Sequence, residues 1–185
     1  FTGIIGPSGS GKSTVLKLLT GLYPVDGGKV VIETVNGDYD CKHTKSLFSF
    51  VPQGNMLFSG TVRENITMLR PDASDEEIRR ALEVSAAEFA YELDGGLDFM
   101  LGEGGSGISQ GQAQRLAIAR ALLGKGRIIL MDESTSALDG VTEKRVIENL
   151  KAMDDRTFLF ITHREAVIQC CDSIITAADG KIREN

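Results

Sequence analysis

Apolar residues occur along the chain in short runs, separated by longer stretches of mixed polarity. Several runs, such as Arg127–Met131, are apolar almost throughout rather than alternating with polar residues. Uninterrupted runs of this length are typical of strands that are buried on both faces, as in a parallel sheet. The pattern predicts strands over Thr2–Ile5, Lys29–Glu33, Phe48–Val51, Arg127–Met131, Thr157–Ile161 and Ser173–Thr176.

Helical periodicity fills most of the intervals between these runs. It predicts helices over Lys12–Leu19, Asp75–Leu93, Gln110–Leu123, Thr142–Met153 and Arg164–Cys170. Ser74 followed by Glu77 is a capping box, which marks the start of the second of these helices. Alternating strands and helices predict an α/β domain with a mostly parallel sheet.

One interval breaks this alternation. Between Thr61 and Leu123 the chain reads as helices and glycine-rich loops, with no convincing strand. We interpret it as a helical subdomain inserted into the α/β core, which assigns 1–58 and 124–185 to the core and 59–123 to the insertion. Because the first residues read as a strand already in progress, we also expect the chain to be N-terminally truncated.

The amino-acid composition restricts which kinds of partner and which cellular compartment are expected for this chain. The 185 residues are 42% hydrophobic and 25% charged, as in an ordinary globular protein, and no apolar run has the ~18 residues that cross a bilayer. A net charge of −6 without a basic cluster argues against nucleic acid as a partner. Cys41, Cys170 and Cys171 form no disulfide framework, which fits a reducing compartment.

A glycine-rich loop lies between the first predicted strand and the first predicted helix. It fits the pattern G-x-x-x-x-G-K-[ST], in which glycines let the backbone wrap a phosphate and the helix start adds partial positive charge. Lys12 is predicted to reach the β- and γ-phosphates and Ser13 to bind Mg²⁺. A turn that merely caps the helix is the alternative, and the strand-loop-helix setting argues against it. The predicted nucleotide loop comprises Gly6, Pro7, Ser8, Gly9, Ser10, Gly11, Lys12, Ser13 and Thr14.

Polar side chains follow three other predicted strands. Asp132 is placed to hold Mg²⁺, directly or through water, and Glu133 to polarise an attacking water. His163 and Gln53 lie at the same sheet edge, where α/β proteins bind ligands. His163 either contacts a γ-phosphate or is structural. Gln53 either touches Mg²⁺, or positions water, or stabilises its loop.

Taken in order, these motifs resemble the nucleotide-binding domain of ATP-binding cassette (ABC) transporters over essentially the whole chain. GPSGSGKST resembles the family's Walker A motif, VPQ its Q-loop, and IILMDE its Walker B motif with the catalytic glutamate. SALD resembles its D-loop, and ITH its switch histidine. The resemblance implies a P-loop NTPase (RecA-like) fold that binds ATP and Mg²⁺. It also implies catalytic roles for Glu133, His163 and Gln53, with Ser13, Gln53 and Asp132 around the metal.

The segment ISQGQ at 108–112 resembles the family's signature motif, usually LSGGQ. The resemblance implies two domains stacked head to tail, with each ATP between the phosphate loop of one and the signature helix of the other. Ser109, Gly111 and Gln112 would then contact the partner's ATP, and Asp139 would carry contacts across the dimer. Gln110 replaces a glycine, which leaves open whether it lowers activity. The family's adenine-stacking aromatic residue would lie upstream of this chain.

Two further segments resemble the exporter branch. Phe58–Ile66 is similar to the segment after the exporter Q-loop, and Leu101–Gly105 to the exporter X-loop, in which Glu103 would contact transmembrane coupling helices. A flexible surface loop is the alternative for the second segment.

The exporter resemblance implies an ATPase that powers transport across a membrane. Its partners would be a second nucleotide-binding domain, identical or paralogous, and transmembrane domains, through which alone it would meet the membrane at the cytoplasmic face. Two alternatives remain: a catalytically weak or regulatory cassette, and a non-transport ABC ATPase. The retained Glu133 and His163 argue against the first, and the compact helical insertion against the second.

Overall fold

The computed structural model describes residues 1–34, 37–40, 45–54 and 56–184, so Cys41 lies outside the described residues. The strands are β1 (Thr2–Ile5), β2 (Val31–Thr34), β3 (Gly37–Asp40), β4 (Phe48–Val51), β5 (Gly60–Thr61), β6 (Met100–Leu101), β7 (Ile128–Asp132), β8 (Thr157–Ile161), β9 (Ser173–Ala178) and β10 (Lys181–Glu184). The α-helices are α1 (Lys12–Leu19), α2 (Val62–Thr67), α3 (Asp75–Val84), α4 (Gln110–Leu123), α5 (Gly140–Lys151) and α6 (Glu165–Ile168).

The central sheet has the order β10-β9-β1-β8-β7-β4 within the described residues. All neighbouring strands are parallel except β10, which pairs antiparallel with β9 at the edge. The predicted α/β fold with a mostly parallel sheet is therefore confirmed. In register, Val51 lies beside Met131 and Asp132 beside Ile161, so β4, β7 and β8 end at one level.

Both faces of the sheet are buried, as the uninterrupted apolar runs predict. On β7, Leu130 packs with Leu16 of α1 in one apolar cluster, whereas Ile129 and Met131 belong to a second cluster on the opposite face. All three β7 side chains are 0–1% exposed. A strand enclosed in this way can present polar groups only at its ends, and β7 presents Asp132 there.

The predicted helix Asp75–Leu93 is shorter in the structure, because α3 ends at Val84. The backbone N–H of Ser85 still donates to Ala81, but Ala86 adopts a left-handed backbone with φ of +54°. A left-handed residue cannot continue a right-handed helix. The chain instead resumes as a short 3-10 turn at Glu88–Tyr91.

The predicted absence of strands from Thr61 to Leu123 is wrong in detail, because β5 and β6 form a two-residue antiparallel pair. Strands this short leave no periodicity to read. The boundaries proposed at 58 and 123 stay a prediction. One apolar cluster runs without a break from sheet residues such as Val51 and Phe158 to Leu82 and Ala90 in the helical segment.

Phe158 is expected to be a major contributor to stability. Its side chain is fully buried, and its ring centroid lies 5.0 Å from that of Phe1 and 6.2 Å from that of Phe160. Phe158→Ala should lower the free energy of unfolding by about 3–5 kcal/mol through lost burial and the cavity it leaves. Urea denaturation measures the change. Phe58→Ala removes a ring that is 38% exposed and is the control; an equal loss in both variants would contradict the assignment of Phe158 to the core.

Candidate functional site

The glycine-rich loop between β1 and α1 depends on backbone conformations that other residues avoid. Gly6 has φ of +146°, and a Cβ at this position would lie 2.0 Å from the Ala177 carbonyl oxygen. Gly11 is the left-handed N-cap of α1, with φ of +92°. The N–H groups in the first turn of a helix have no intrahelical acceptor. The loop therefore delivers the N–H groups of Lys12, Ser13 and Thr14 to the cavity that it borders.

The Lys12 side chain folds back over this loop. It is only 7% exposed, and its Nζ donates to the carbonyl oxygens of Gly6 and Pro7, both at 2.8 Å. An ammonium has three N–H donors, so one remains for an incoming oxygen. The neighbouring Ser10 hydroxyl is buried and finds no acceptor or donor among the described residues. The loop thus holds a positive charge and unsatisfied polar groups in one place.

A cavity of about 280 Å³ lies beside the loop. It brings together residues that are far apart in the sequence and that we predicted for one site. Its lining residues are Ser8, Gly9, Gly11, Lys12, Ser13, Thr14, Gln53, Glu133, Ile161 and His163.

Asp132, at the end of β7, is 4% exposed and lies against the loop. Burial raises the pKa of its carboxyl above the ordinary value, and the nearby Glu133 charge also raises it. A hydrogen bond from the Ser13 side chain and the charges of Lys17 and Lys12 oppose this shift. A hydroxyl beside a buried carboxylate supplies the hard oxygen ligands that Mg²⁺ prefers, so these residues fit that metal.

Glu133 is held by contacts with the residues at the ends of β4 and β8. Its backbone has φ of +47°, and its N–H donates to the Ile161 carbonyl at 2.9 Å, so the end of β8 supports the turn. Its carboxylate accepts a hydrogen bond from Gln53 Nε2 at 2.9 Å and lies 3.5 Å from His163 Nε2. Gln53, Glu133 and His163, which follow β4, β7 and β8, therefore come together at the Glu133 carboxylate beside the glycine-rich loop.

The segment 108–112 forms the start of α4. Ser109 is the N-cap: its Oγ accepts from the Gln112 N–H at 3.2 Å, and its own N–H donates to Gln112 Oε1 at 2.9 Å. Gln110 is the first helical residue, is exposed, and has no positive φ. A Cβ at Gly111 would lie 2.9 Å from the Ala137 carbonyl oxygen. Glycine is therefore required at 111, whereas the helix accepts glutamine at 110.

The predicted site residues fall into two groups. Among the residues that the structure describes, Ser109, Gly111, Gln112 and Asp139 do not line the 280 Å³ cavity. Asp139 is the N-cap of α5, and hydrogen bonds from the Thr142 backbone and hydroxyl lower the pKa of its carboxyl. One group thus surrounds the glycine-rich loop, and the other caps the helices α4 and α5.

Two polar side chains near these groups escaped sequence reasoning. Gln114 is 3% exposed and hydrogen-bonds Ser136 and Ala137, and Arg164 donates to the Leu138 carbonyl at 3.0 Å. Gln114 carried a signal, since it stands on the apolar face of α4, four residues before Ile118. A polar residue on such a face usually has a buried partner. Arg164 gave no comparable signal.

A family model described as "ABC transporter" matches residues 1–136. The chain belongs to the ABC transporter family. The resemblance found in the sequence is thereby confirmed.

The chain is similar to curated ABC proteins from several bacteria. It is 40% identical to the cyclolysin secretion/processing ATP-binding protein CyaB of Bordetella pertussis over 98% of its length and 26% of that protein. It is 40% identical to the ATP-dependent lipid A-core flippase of Vibrio vulnificus, covering 98% of this chain and 32% of the flippase. It is 43% identical to the uncharacterised ABC transporter ATP-binding protein YknU of Bacillus subtilis, over 98% of this chain and 32% of that one.

A solved structure of a bacterial Atm1-family ABC exporter with ATP bound superposes with a TM-score of 0.89 and 35% identity, covering 99% of this chain and 32% of that one. The P-loop NTPase fold and the exporter-type resemblance are thereby confirmed. The chain spans between a quarter and a third of the length of these relatives. In the described part of the chain, no helix combines the length and apolar character that a bilayer crossing requires.

The raised pKa of Asp132 predicts that its charge destabilises the nucleotide-free domain. Below the ordinary pKa of an unfolded aspartate, near 3.9, both states are protonated and no penalty exists. Above the raised folded-state pKa, the folded domain carries a buried charge at a cost. Asp132→Asn should therefore raise the free energy of unfolding at pH 7, and the gain should disappear as the pH falls below both values.

Urea denaturation without Mg²⁺ or nucleotide, repeated across this pH range, measures the effect. The exposed Asp94→Asn is the matched control and should show no gain. A lower stability of Asp132→Asn at pH 7 would contradict the interpretation, because it would mean that the hydrogen bond from Ser13 outweighs burial.

Proposed function

We propose that the chain is the ATP-binding and ATP-hydrolysing part of an ABC exporter, in which ATP-dependent dimerisation of two such domains drives transport across a membrane. The observation that carries this proposal is the meeting of the glycine-rich loop, Glu133 and His163 around one cavity, with Asp132 bonded to Ser13 of that loop. The similar proteins whose names describe secretion, flipping and export support the transport assignment.

In the proposed reaction, the loop from Gly6 to Thr14 holds the phosphates of ATP. The exposed N–H groups at the start of α1 donate to phosphate oxygens, and the helix dipole favours the negative charge. Lys12 adds a charge whose position is fixed by its two bonds to loop carbonyls. Little covalent chemistry is required of the protein, because phosphoryl transfer is accelerated mainly by positioning and electrostatics.

The Ser13 hydroxyl, the Asp132 carboxylate and the Gln53 amide oxygen would hold Mg²⁺. The Gln53 amide nitrogen is already committed to Glu133, which leaves its oxygen free as a ligand. A bound Mg²⁺ would neutralise part of the phosphate charge.

Glu133 is the proposed general base. Its carboxylate is fixed by Gln53 on one oxygen and faces His163 on the other, so its direction toward the cavity does not depend on substrate. Glu133 accepts a proton from the attacking water, and His163 steadies the transferring phosphate from the end of β8. An exposed fraction of 30% for the Glu133 side chain leaves room for that water.

The second group of residues would complete the site of another chain. Ser109, Gly111, Gln112 and Asp139 lie outside the cavity that holds the glycine-rich loop. A head-to-tail dimer would bring the start of α4 from one chain against the phosphates bound by its partner, identical or paralogous. The division into a core (1–58 and 124–185) and a helical subdomain (59–123) would then separate the part that binds ATP from the part that closes over it.

Transmembrane domains are the other proposed partner, with the chain at the cytoplasmic face of the membrane and touching it only through them. Three large exposed apolar side chains support such a contact: Met56 (69% exposed) and Phe58 (38%) follow the Q-loop, and Met100 (63%) pairs with Thr61 and precedes Glu103. Glu103 is exposed in the adjoining loop. An apolar patch with a polar rim is typical of a protein interface.

Substitutions in the complete protein test the proposed reaction. Glu133→Gln should still bind MgATP, but its kcat should fall about 10²- to 10⁴-fold, because the general base is lost. Lys12→Ala should instead lose most of its affinity for ATP. Phosphate release and fluorescent-nucleotide binding measure the two effects.

Tyr23→Phe, an exposed change outside the cavity, is the control for both measurements. Normal turnover in Glu133→Gln would remove that residue from the proposed reaction and favour a regulatory cassette if wild type is equally slow. Unchanged ATP affinity in Lys12→Ala would remove the phosphate-loop assignment.

The dimer makes a separate prediction. In a composite site, the hydrolysis rate per molecule should rise with protein concentration and then level off, because two chains build each site. Gln110→Gly run beside wild type should show a similar curve, since the backbone at 110 is an unstrained helical one. A rate independent of concentration for monomeric protein, established by light scattering, would contradict the composite site.

A further inference from the structure

Gln114 forms a clamp between α4 and the segment that follows β7. Its Nε2 donates to Ser136 Oγ at 3.0 Å, and its Oε1 accepts from the Ala137 N–H at 2.9 Å. The Gln114 side chain is 3% exposed, although Ser136 itself is exposed, so both bonds are partly shielded from water. Both polar atoms of one amide are thus used on two consecutive residues of the D-loop, the SALD segment at 136–139.

The backbones of α4 and the D-loop are also in close contact. Gly111, one turn before Gln114 on α4, lies so close to the Ala137 carbonyl that a Cβ would be 2.9 Å from its oxygen. Gly111 and Gln114 therefore both contact the short stretch at Ser136 and Ala137. A shift of α4 relative to the D-loop must break the amide contacts or force the backbones together.

The D-loop is held from its other side by the residue that follows His163. Arg164 donates from Nη2 to the Leu138 carbonyl at 3.0 Å, and its Nε lies 3.0 and 3.1 Å from the two oxygens of Glu143. Glu143 on α5 is 2% exposed. The Arg164 side chain is 38% exposed, but its charge-assisted contact with a buried carboxylate restricts its direction.

We propose that Gln114 is a positioning residue that locks the D-loop to the helix carrying Ser109, and that this lock and Arg164 together make Ser109, Asp139 and His163 move as one unit. The inference rests on the proposed function. There, Ser109 serves the partner's ATP while His163 serves the chain's own, so the clamp links two different ATP sites through a single chain. No contact with nucleotide is required of Gln114 itself.

The test compares variants of Gln114 with a matched amide elsewhere. Gln114→Leu keeps the size of the side chain but removes both bonds. Asn149→Leu removes another side-chain amide, which donates to the Glu83 and Val84 carbonyls far from the cavity. Gln114→Glu can still accept from the Ala137 N–H and from the Ser136 hydroxyl, and is the conservative rescue.

Amide hydrogen exchange gives a measure that is independent of turnover. In Gln114→Leu, exchange at Ala137 should be about tenfold faster, since the N–H has lost its acceptor. Exchange in Gln114→Glu and Asn149→Leu should stay near wild type at this amide. Unchanged exchange at Ala137 in Gln114→Leu would overturn the clamp.

Steady-state kinetics test its consequence. In Gln114→Leu, kcat should fall about tenfold or more while KM for MgATP changes little, because the phosphate loop is untouched but the partner-facing group is misplaced. Gln114→Glu should recover most of kcat. A loss no greater than that of Asn149→Leu at equal melting temperature, or a failure of Gln114→Glu to recover activity, would overturn the positioning role.

The two proposals fail differently. If wild type releases no more phosphate than Glu133→Gln, the proposed function fails, and the exchange at Ala137 still decides whether the clamp exists. If wild type turns over and Gln114→Leu matches it, the function stands and the positioning role is overturned.

Discussion

The parallel pairing of β4, β7 and β8 is the constraint on which the site depends. Hydrogen bonding in this register puts Val51 beside Met131 and Asp132 beside Ile161, so the three strands end together. The residues that follow, Gln53, Glu133 and His163, have no freedom to separate by more than a few ångströms. The N–H of Glu133 bonds to the carbonyl of Ile161, which extends the pairing one residue into the turn. The proximity of these three side chains is therefore a consequence of sheet geometry.

The same edge concentrates features that are unfavourable for folding. Asp132 is buried with a raised pKa, Glu133 adopts a left-handed backbone, and the Ser10 hydroxyl is buried without a partner among the described residues. Unfavourable conformations and buried polar groups of this kind persist only when packing of the surrounding structure leaves no alternative arrangement. The apolar clusters on the two faces of the sheet supply that constraint, because β7 cannot shift without moving Leu130 and Met131 out of packed positions.

The depth of burial decided which elements could be predicted. Strands with a mostly buried, mostly apolar sequence, such as Thr157–Ile161, were predicted well, and the structure gives Thr157–Ile161 and Thr2–Ile5 the predicted bounds. β10 is exposed along its whole length and carries no apolar pattern. The site motifs made of adjacent residues could be recognised in the sequence, because a phosphate-binding loop needs several groups within one short segment.

Contacts between segments that are distant in the sequence could not be predicted in this way. The bonds of Gln114 and Arg164 to the D-loop join residues 22 to 26 positions apart, and nothing in their local sequence specifies the partner. Gln114 could be flagged as a polar residue on an apolar face, but the D-loop could not be deduced as its target. Side-chain hydrogen bonds of this type become predictable only once the fold has set which backbone lies opposite.

The structure at the start of α4 shows how the chain accommodates Gln110, where the family's signature sequence usually has glycine. A serine hydroxyl has one donor and two acceptor positions, and Ser109 uses an acceptor on the Gln112 N–H. Capping uses only an acceptor position, so it would not compete with the proposed contact between the Ser109 O–H and an anion. The close approach that excludes a side chain is at Gly111, against Ala137, and not at 110. Gln110 continues the helix in an ordinary conformation with its side chain outward. Any effect of this glutamine must therefore arise from what its side chain meets on another molecule, because the helix that carries it is unchanged.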